Sequence, residues 1–164
     1  MLSNLQRSQM LNTPCGNIDL VIDSDAFNEI DDQYAIAYAL CAQEQLNVKA
    51  IYAAPFVNRK AATPKEGMEK SYQEIKKLLL LAGADRRVLR GSEQYLPDER
   101  HFVSSSAAED LASLAMAYSP EKPLYVAAIG AITNIASALL MNPAIAERMV
   151  VIWLGGNALE WPHN

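Results

Sequence analysis

Short apolar runs alternate with helical patterns along most of the chain. The run Ile18 to Asp23 reads as a buried strand. A helix follows over about Asp31–Gln45. Its charges sit almost wholly at its start, and Tyr34, Ala35, Ile36, Ala37, Tyr38, Ala39 and Leu40 make a body apolar on most sides, which predicts burial on most sides. Val48–Ala54 reads as a second strand, stopped by Pro55. The next helix has the clearest limits. Thr63 can cap it, Pro64 suits its first turn, Glu66 completes a capping box, and Gly83 ends it. Met68, Tyr72, Ile75, Leu79 and Ala82 form its apolar stripe. A short strand, Arg87–Arg90, and a charged loop, Gly91–Ser104, precede a helix over Ser106–Tyr118, where Ser106 and Glu109 offer a second capping box. The strand Leu124–Ile129 leads through Gly130 into a helix over Ile132–Met141, broken by Asn142-Pro143, and a last strand, Met149–Leu154, ends at Gly155-Gly156.

Strands alternating with helices imply right-handed βαβ units and an open, mostly parallel sheet with flanking helices, an α/β fold. Residues 1–16 read as a loose N-terminal arm and 17–164 as one α/β domain. Ligands in such sheets bind beyond the carboxyl ends of the strands. The loops that start at Asp23, Pro55, Gly91, Gly130 and Gly155 are therefore the places to look for chemistry.

Composition narrows the class. With 51% hydrophobic and 20% charged residues in 164, the chain can bury a substantial core and is not a disordered one. The net charge of −5 argues against a nucleic-acid partner, because the nearest basic pairs, Lys76-Lys77 and Arg86-Arg87, sit among acidic or apolar neighbours. The longest apolar run near Leu78–Ala82 is far too short for a membrane span, and the polar start lacks a signal peptide's apolar core, so the expected address is cytoplasmic. Cys15 and Cys41 have no zinc spacing. Cys41 falls in an apolar helical pattern and reads as a small buried hydrophobe.

The segment from Val21 to Gln33 carries most of the chemical information. Asp23 and Asp25 stand two apart at a strand end and point to one side of an extended backbone. Asp31 and Asp32 open the next helix, which meets the same rim of the sheet, and Glu29 adds a possible fifth carboxylate. Two like charges about 4 Å apart repel by about 4 kcal/mol at an effective dielectric near 20. A helix N-terminus returns only about 0.3–1 kcal/mol per charge. Either some of these acids are protonated or a cation sits among them, and all-oxygen ligands suit calcium or magnesium. Asp31 or Asp32 alone needs no such role, since either could simply cap free N–H groups.

These motifs resemble the inosine-uridine-preferring nucleoside hydrolases, in which a strand ends in Asp-x-Asp and an Asp-Asp pair opens the following helix. Asp23-Ser24-Asp25 and Asp31-Asp32 match that pattern, and the Asn28-Glu29-Ile30-Asp31-Asp32 form is similar to a branch of hydrolase-like proteins. The segment between the two pairs, Ala26 to Ile30, is two residues longer than the family's common Pro-Gly turn. Ala128 to Asn134 resembles the family's Gly-x-Leu-Thr-Asn turn, and Val150 to Asn157 its strand ending in a glycine pair.

The resemblance implies calcium-dependent hydrolysis of the N-glycosidic bond of ribonucleosides, giving free base and ribose. It implies Asp25 as metal ligand and general base, Asp32 and the Thr133 carbonyl as further calcium ligands, and Asp31, Asn58 and Asn157 as substrate contacts, with Asp23 supporting from behind. Read without the resemblance, Asn58 is an ordinary loop residue and Gly130 a tight turn. Trp161 is either an aromatic wall for a base or a packing residue, and His101 a solvated loop residue. The family's later motifs, among them a leaving-group His and a last calcium-binding Asp, have no counterpart, so the chain reads as the N-terminal part of such a domain, with an exposed sheet edge. The family also implies a homo-oligomer, dimer or tetramer. Two other readings stand beside this one. A magnesium-dependent phosphotransferase of haloacid-dehalogenase type would also end its first strand in Asp-x-Asp, with Asp23 as nucleophile, though Phe27 does not suit it. A non-catalytic chain that binds metal or sugar weakly is the other.

Overall fold

The structure, a computed structural model, describes residues 2–156. Five strands form one sheet: β1 (Ile18–Ser24), β2 (Leu46–Ala53), β3 (Arg87–Arg90), β4 (Leu124–Ala128) and β5 (Met149–Trp153). All pairings are parallel and the spatial order is β3-β2-β1-β4-β5. The chain thus builds outward from β1 on one side and then returns to build on the other. The switch point lies between β1 and β4, where Asp23 pairs with Ala128. In doubly wound sheets a crevice opens at the carboxyl ends there.

Helices α2 (Ile30–Cys41) and α3 (Pro64–Ala82) cover one face of the sheet, while α4 (Ser106–Leu114) and α5 (Thr133–Met141) cover the other. The period of two in β1 feeds both cores. Leu20 and Ile22 join Ile36, Leu40, Met68, Ile75 and Leu79 on the first face, and Val21 joins Leu111, Val126, Ile135 and Ile145 on the second. The strand Arg87–Arg90 has the expected limits.

Several local expectations need correction. The N-terminal arm is not wholly loose: α1 (Asn4–Met10) is closed by a capping box between Ser3 and Gln6, and Met10 is buried. Thr63 caps α3 as expected, but the Glu66 carboxylate reaches the Ala62 N–H, one residue before the cap. In α4 the cap is Ser105, whose hydroxyl accepts from the Ala108 N–H, while Glu109 accepts from Ser104; the helix also gives way to a 3₁₀ turn at Ala115. Helix α2 ends at Cys41 and is buried on one side only. Ile30, Tyr34 and Tyr38 are exposed, and so is Cys41. Periodicity marks what can be buried, but only the layers of the fold decide what is covered, and among the described residues nothing lies over the outer side of α2.

Candidate active site at the switch point of the sheet

At the carboxyl ends of β1 and β4 the chain places three acids in a mostly closed setting. Asp23, Asp25 and Asp32 are 0%, 6% and 5% exposed. Burial is the main cause that pushes their carboxyls up, Asp23 and Asp32 to about 7 and Asp25 to about 6, and repulsion from neighbouring carboxylates, Glu29 and Asp31 among them for Asp25 and Asp32, adds to it. The acids do not serve as helix caps. The residue before α2 is Glu29, which makes no side-chain cap bond, and Asp32 instead accepts a hydrogen bond of 2.5 Å from the Ser24 hydroxyl.

Each acid has a distinct role in the packing. Asp23 faces into the fold. One of its oxygens accepts from Asn134 Nδ2 at 2.8 Å, and the other is buried with no hydrogen-bond partner. Asn134 itself is fully buried and fully used. Its Oδ1 accepts from the Ser92 N–H and hydroxyl at 2.8 and 2.9 Å, and its Nδ2 also lies 3.3 Å from the Ala53 carbonyl. This side chain therefore ties β1, β2 and the loop after β3 together beneath the site. Asp25 faces outward, with Oδ2 accepting from Asn28 Nδ2 at 3.0 Å. Gly130 lets the turn after β4 pass close behind it: a Cβ there would stand 3.1 Å from Asp25 Cγ.

Outside these acids is an open cavity of about 570 Å³. Asp25, Asp31, Asp32, Pro55, Gly130, Thr133 and Gly155 all line it, with Tyr95 and Trp153 among its walls. All five loops singled out from the sequence thus meet in one place, the Gly91–Ser104 loop through Tyr95. Asp23 does not line it.

A family model described as inosine-uridine preferring nucleoside hydrolase matches residues 20–162. The chain belongs to that family. Solved structures agree. A purine-preferring ribonucleoside hydrolase from Gardnerella vaginalis aligns at 20% identity and TM-score 0.64, over 85% of this chain and 49% of that one. An inosine-guanosine nucleoside hydrolase aligns at 25% identity and TM-score 0.55, over 81% of this chain and 44% of that one. The type III effector protein XopQ, solved with adenosine diphosphate ribose, aligns at 19% identity and TM-score 0.59, over 94% and 50%. The chain spans about half the length of these structures. No curated protein matches it significantly.

Within this nucleoside hydrolase fold, the structure brings Asp25, Asp31, Asp32 and Thr133 to one cavity, with Asp23 behind them. Asn58 lies beside them in the adjoining groove, where both ends of its amide are engaged: Nδ2 donates to Asn28 Oδ1 and Oδ1 accepts from the Lys60 N–H. Asn157, Trp161 and the residues after it lie outside the described residues. Asn28 and Asn134 are site residues that sequence reasoning did not single out. Asn134 stood in a motif quoted for its neighbour Thr133, and nothing beside it in sequence marks its pairing with Asp23.

The donors fit a hard divalent cation in kind. They are all oxygens, and three raised carboxyls with one unpartnered buried oxygen mark a place where positive charge is wanted. They fall short in number. Among the described residues no group of three His, Cys, Asp or Glu side chains converges closely enough to enclose an ion.

Proposed function

We propose that the chain carries the water-activating half of a nucleoside hydrolase site, which splits the N-glycosidic bond of a ribonucleoside with water to give free base and ribose. The observation that supports this most is the buried trio of acids, opening through Asp25, Asp31 and Asp32 onto one cavity at the sheet's switch point. Asp25, Asp32 and the Thr133 carbonyl would hold calcium, with water and groups beyond the described residues completing its shell. The ion, when bound, would lower the pKa of a coordinated water.

The chain's own groups divide the remaining work. Asp25 keeps one oxygen on Asn28 and lines the cavity, where its other oxygen would take a proton from the attacking water. Burial lifts the Asp25 carboxyl above the ordinary range, which makes it a stronger base than a free aspartate. Asp31, exposed at the rim, accepts a hydrogen bond from a ribose hydroxyl. The ionised carboxylates stabilise positive charge growing on the ribose carbon as the base departs. Asp23 and Asn134 hold the strand end in place. A phosphotransferase would need Asp23 open to substrate, and its complete burial speaks against that reading.

A cytoplasmic setting and self-association belong to the same proposal. The two free, exposed cysteines support the first and the uncovered Ile30, Tyr34 and Tyr38 of α2 the second. The test is release of base from inosine or uridine in the presence of calcium. Asp25→Asn should abolish most turnover while the chain folds normally; near-normal turnover in that variant would refute the assignment.

A further inference from the structure

The five residues between the two acid pairs, Ala26 to Ile30, contain Asn28, and Asn28 is the only side chain that hydrogen-bonds Asp25 among the described residues. Its backbone is fixed first: the Asn28 N–H donates to the Asp25 carbonyl at 2.6 Å, closing a turn over the acid. The loop between β2 and α3 then straps this turn from outside. Asn58 Nδ2 donates to Asn28 Oδ1, and the Lys60 N–H donates to Asn58 Oδ1 at 2.7 Å. The Lys60 ammonium reaches over to the carbonyls of Phe27 and Asn28, and Lys70 in turn holds the Lys60 carbonyl. An amide has two useful ends, and here both are committed in series: donor to the acid, acceptor from Asn58. Ala26 is completely buried, which anchors the near end of the segment, while Gln33 donates to its carbonyl. A longer connection would ordinarily be freer, but this one is pinned at both ends and from the side.

We propose that Asn28 is a positioning residue for Asp25, and that Asn58 acts on the site through Asn28 by holding its amide in the donating orientation. The proposal rests on the reading of Asp25 as the group that faces the attacking water. Its consequence is geometric. With Oδ2 held by Asn28, the carboxylate cannot rotate freely, and its other oxygen stays turned to the cavity. Asn58 then supports the acid from one residue away, and its amide is not free to reach a substrate hydroxyl while the relay is intact.

The test uses the whole chain and three variants: Asn28→Ala, Asn58→Ala and the double substitution. All concern exposed or half-buried side chains, so folding should be retained. Loss of a hydrogen bond to a charged group predicts that Asn28→Ala lowers kcat on inosine about tenfold while KM changes less than about twofold. Asn58→Ala should cost about threefold alone and nothing further in the Asn28→Ala background, because the two act in series. Equal, independent losses from both residues, or a change confined to KM, would overturn the relay. A second readout does not depend on turnover. The Asn28 side-chain amide signals in a nitrogen–proton NMR spectrum, assigned by their loss in Asn28→Ala, should stand away from the free-asparagine position and return to it in Asp25→Ala. Signals already at the free position in the parent chain overturn the proposal whether or not the chain hydrolyses inosine. An inactive parent with displaced signals supports the contact and counts against the hydrolase reading alone.

Discussion

Replacing Asn134 by alanine should cost the fold about 3–5 kcal/mol. The figure follows from what the amide holds. Among the described residues Asp23 has one oxygen already without a partner, and Asn134 Nδ2 is the only donor to the other. The Ser92 N–H and hydroxyl both donate to Asn134 Oδ1, within a pocket where Asn134 and Ser92 are fully buried. Each buried polar group left unpaired costs about 1–3 kcal/mol. Three groups would give up to about 9 kcal/mol, but the vacated space is polar and a water admitted to it would restore part of the loss. That places the net near the lower half of the range. Unfolding entropy scales to ~0.3 kcal/mol per kelvin for 164 residues, so Tm should fall by ~10 °C. Ser105→Ala supplies the comparison: its hydroxyl reaches Asn134 only at 3.5 Å, so its cost should be that of the lost α4 cap alone, about 0.5–2 kcal/mol and below that of Asn134→Ala. Urea unfolding of the three proteins measures both effects. A loss below about 1 kcal/mol for Asn134→Ala would show that the amide is not the tie between the strand ends.

Other outcomes follow from the same geometry. Asp23, Asp25 and Asp32 bind protons more tightly folded than unfolded, so in metal-free buffer the native state holds more protons and stability should fall as pH rises from about 4 through 7; urea midpoints at pH 5 and pH 8 read this, and a higher midpoint at pH 8 would contradict it. The exposed Glu69, drawn down to about 2 by Arg90, acts with the opposite sign, but its contribution is nearly complete by pH 5, because the unfolded carboxyl titrates at 4.5, so the comparison of pH 5 with pH 8 is little affected. At the outer edge of β5, Ile152, Trp153 and Leu154 are exposed, and no described strand pairs there; Ile152→Lys should reduce light scattering of concentrated solutions with stability held within about 0.5 kcal/mol, and unchanged scattering would clear the edge as a route to association. Asp25→Asn should remove most hydrolysis of inosine with the unfolding midpoint intact or raised, because a buried charge is lost with the acid.

Much of this architecture is legible in local patterns. The strand Arg87–Arg90 and the Asp-x-Asp rim can be read directly, because a short apolar pair between breaks and a cluster of like charges are local signals. What escapes is set by partners far away in sequence. Asn134 meets Asp23 across 111 positions, and Asn58 meets Asn28 across 30; nothing adjacent to either asparagine announces the pairing. The expected burial of α2 failed for a related reason. Tyr34 and Tyr38 are apolar enough to be covered, but coverage depends on a neighbouring layer that no window of sequence contains. The helix near the N-terminus did carry a local sign, Ser3 three residues before Gln6, in a segment whose Pro14 and Gly16 suggested an arm. At α4 two adjacent serines offered the cap, and the backbone turned one residue earlier than the Ser106–Glu109 spacing implied.

On the reading proposed above, the acids at the switch point form a half-shell for a hard divalent cation. Calorimetric titration of the purified chain with calcium, alongside magnesium and alongside the Asp32→Asn variant, addresses it most directly. Calcium should bind with little response to magnesium, and the binding should be lost when Asp32 is replaced. Calcium binding that survives Asp32→Asn, or a preference for magnesium, would contradict it.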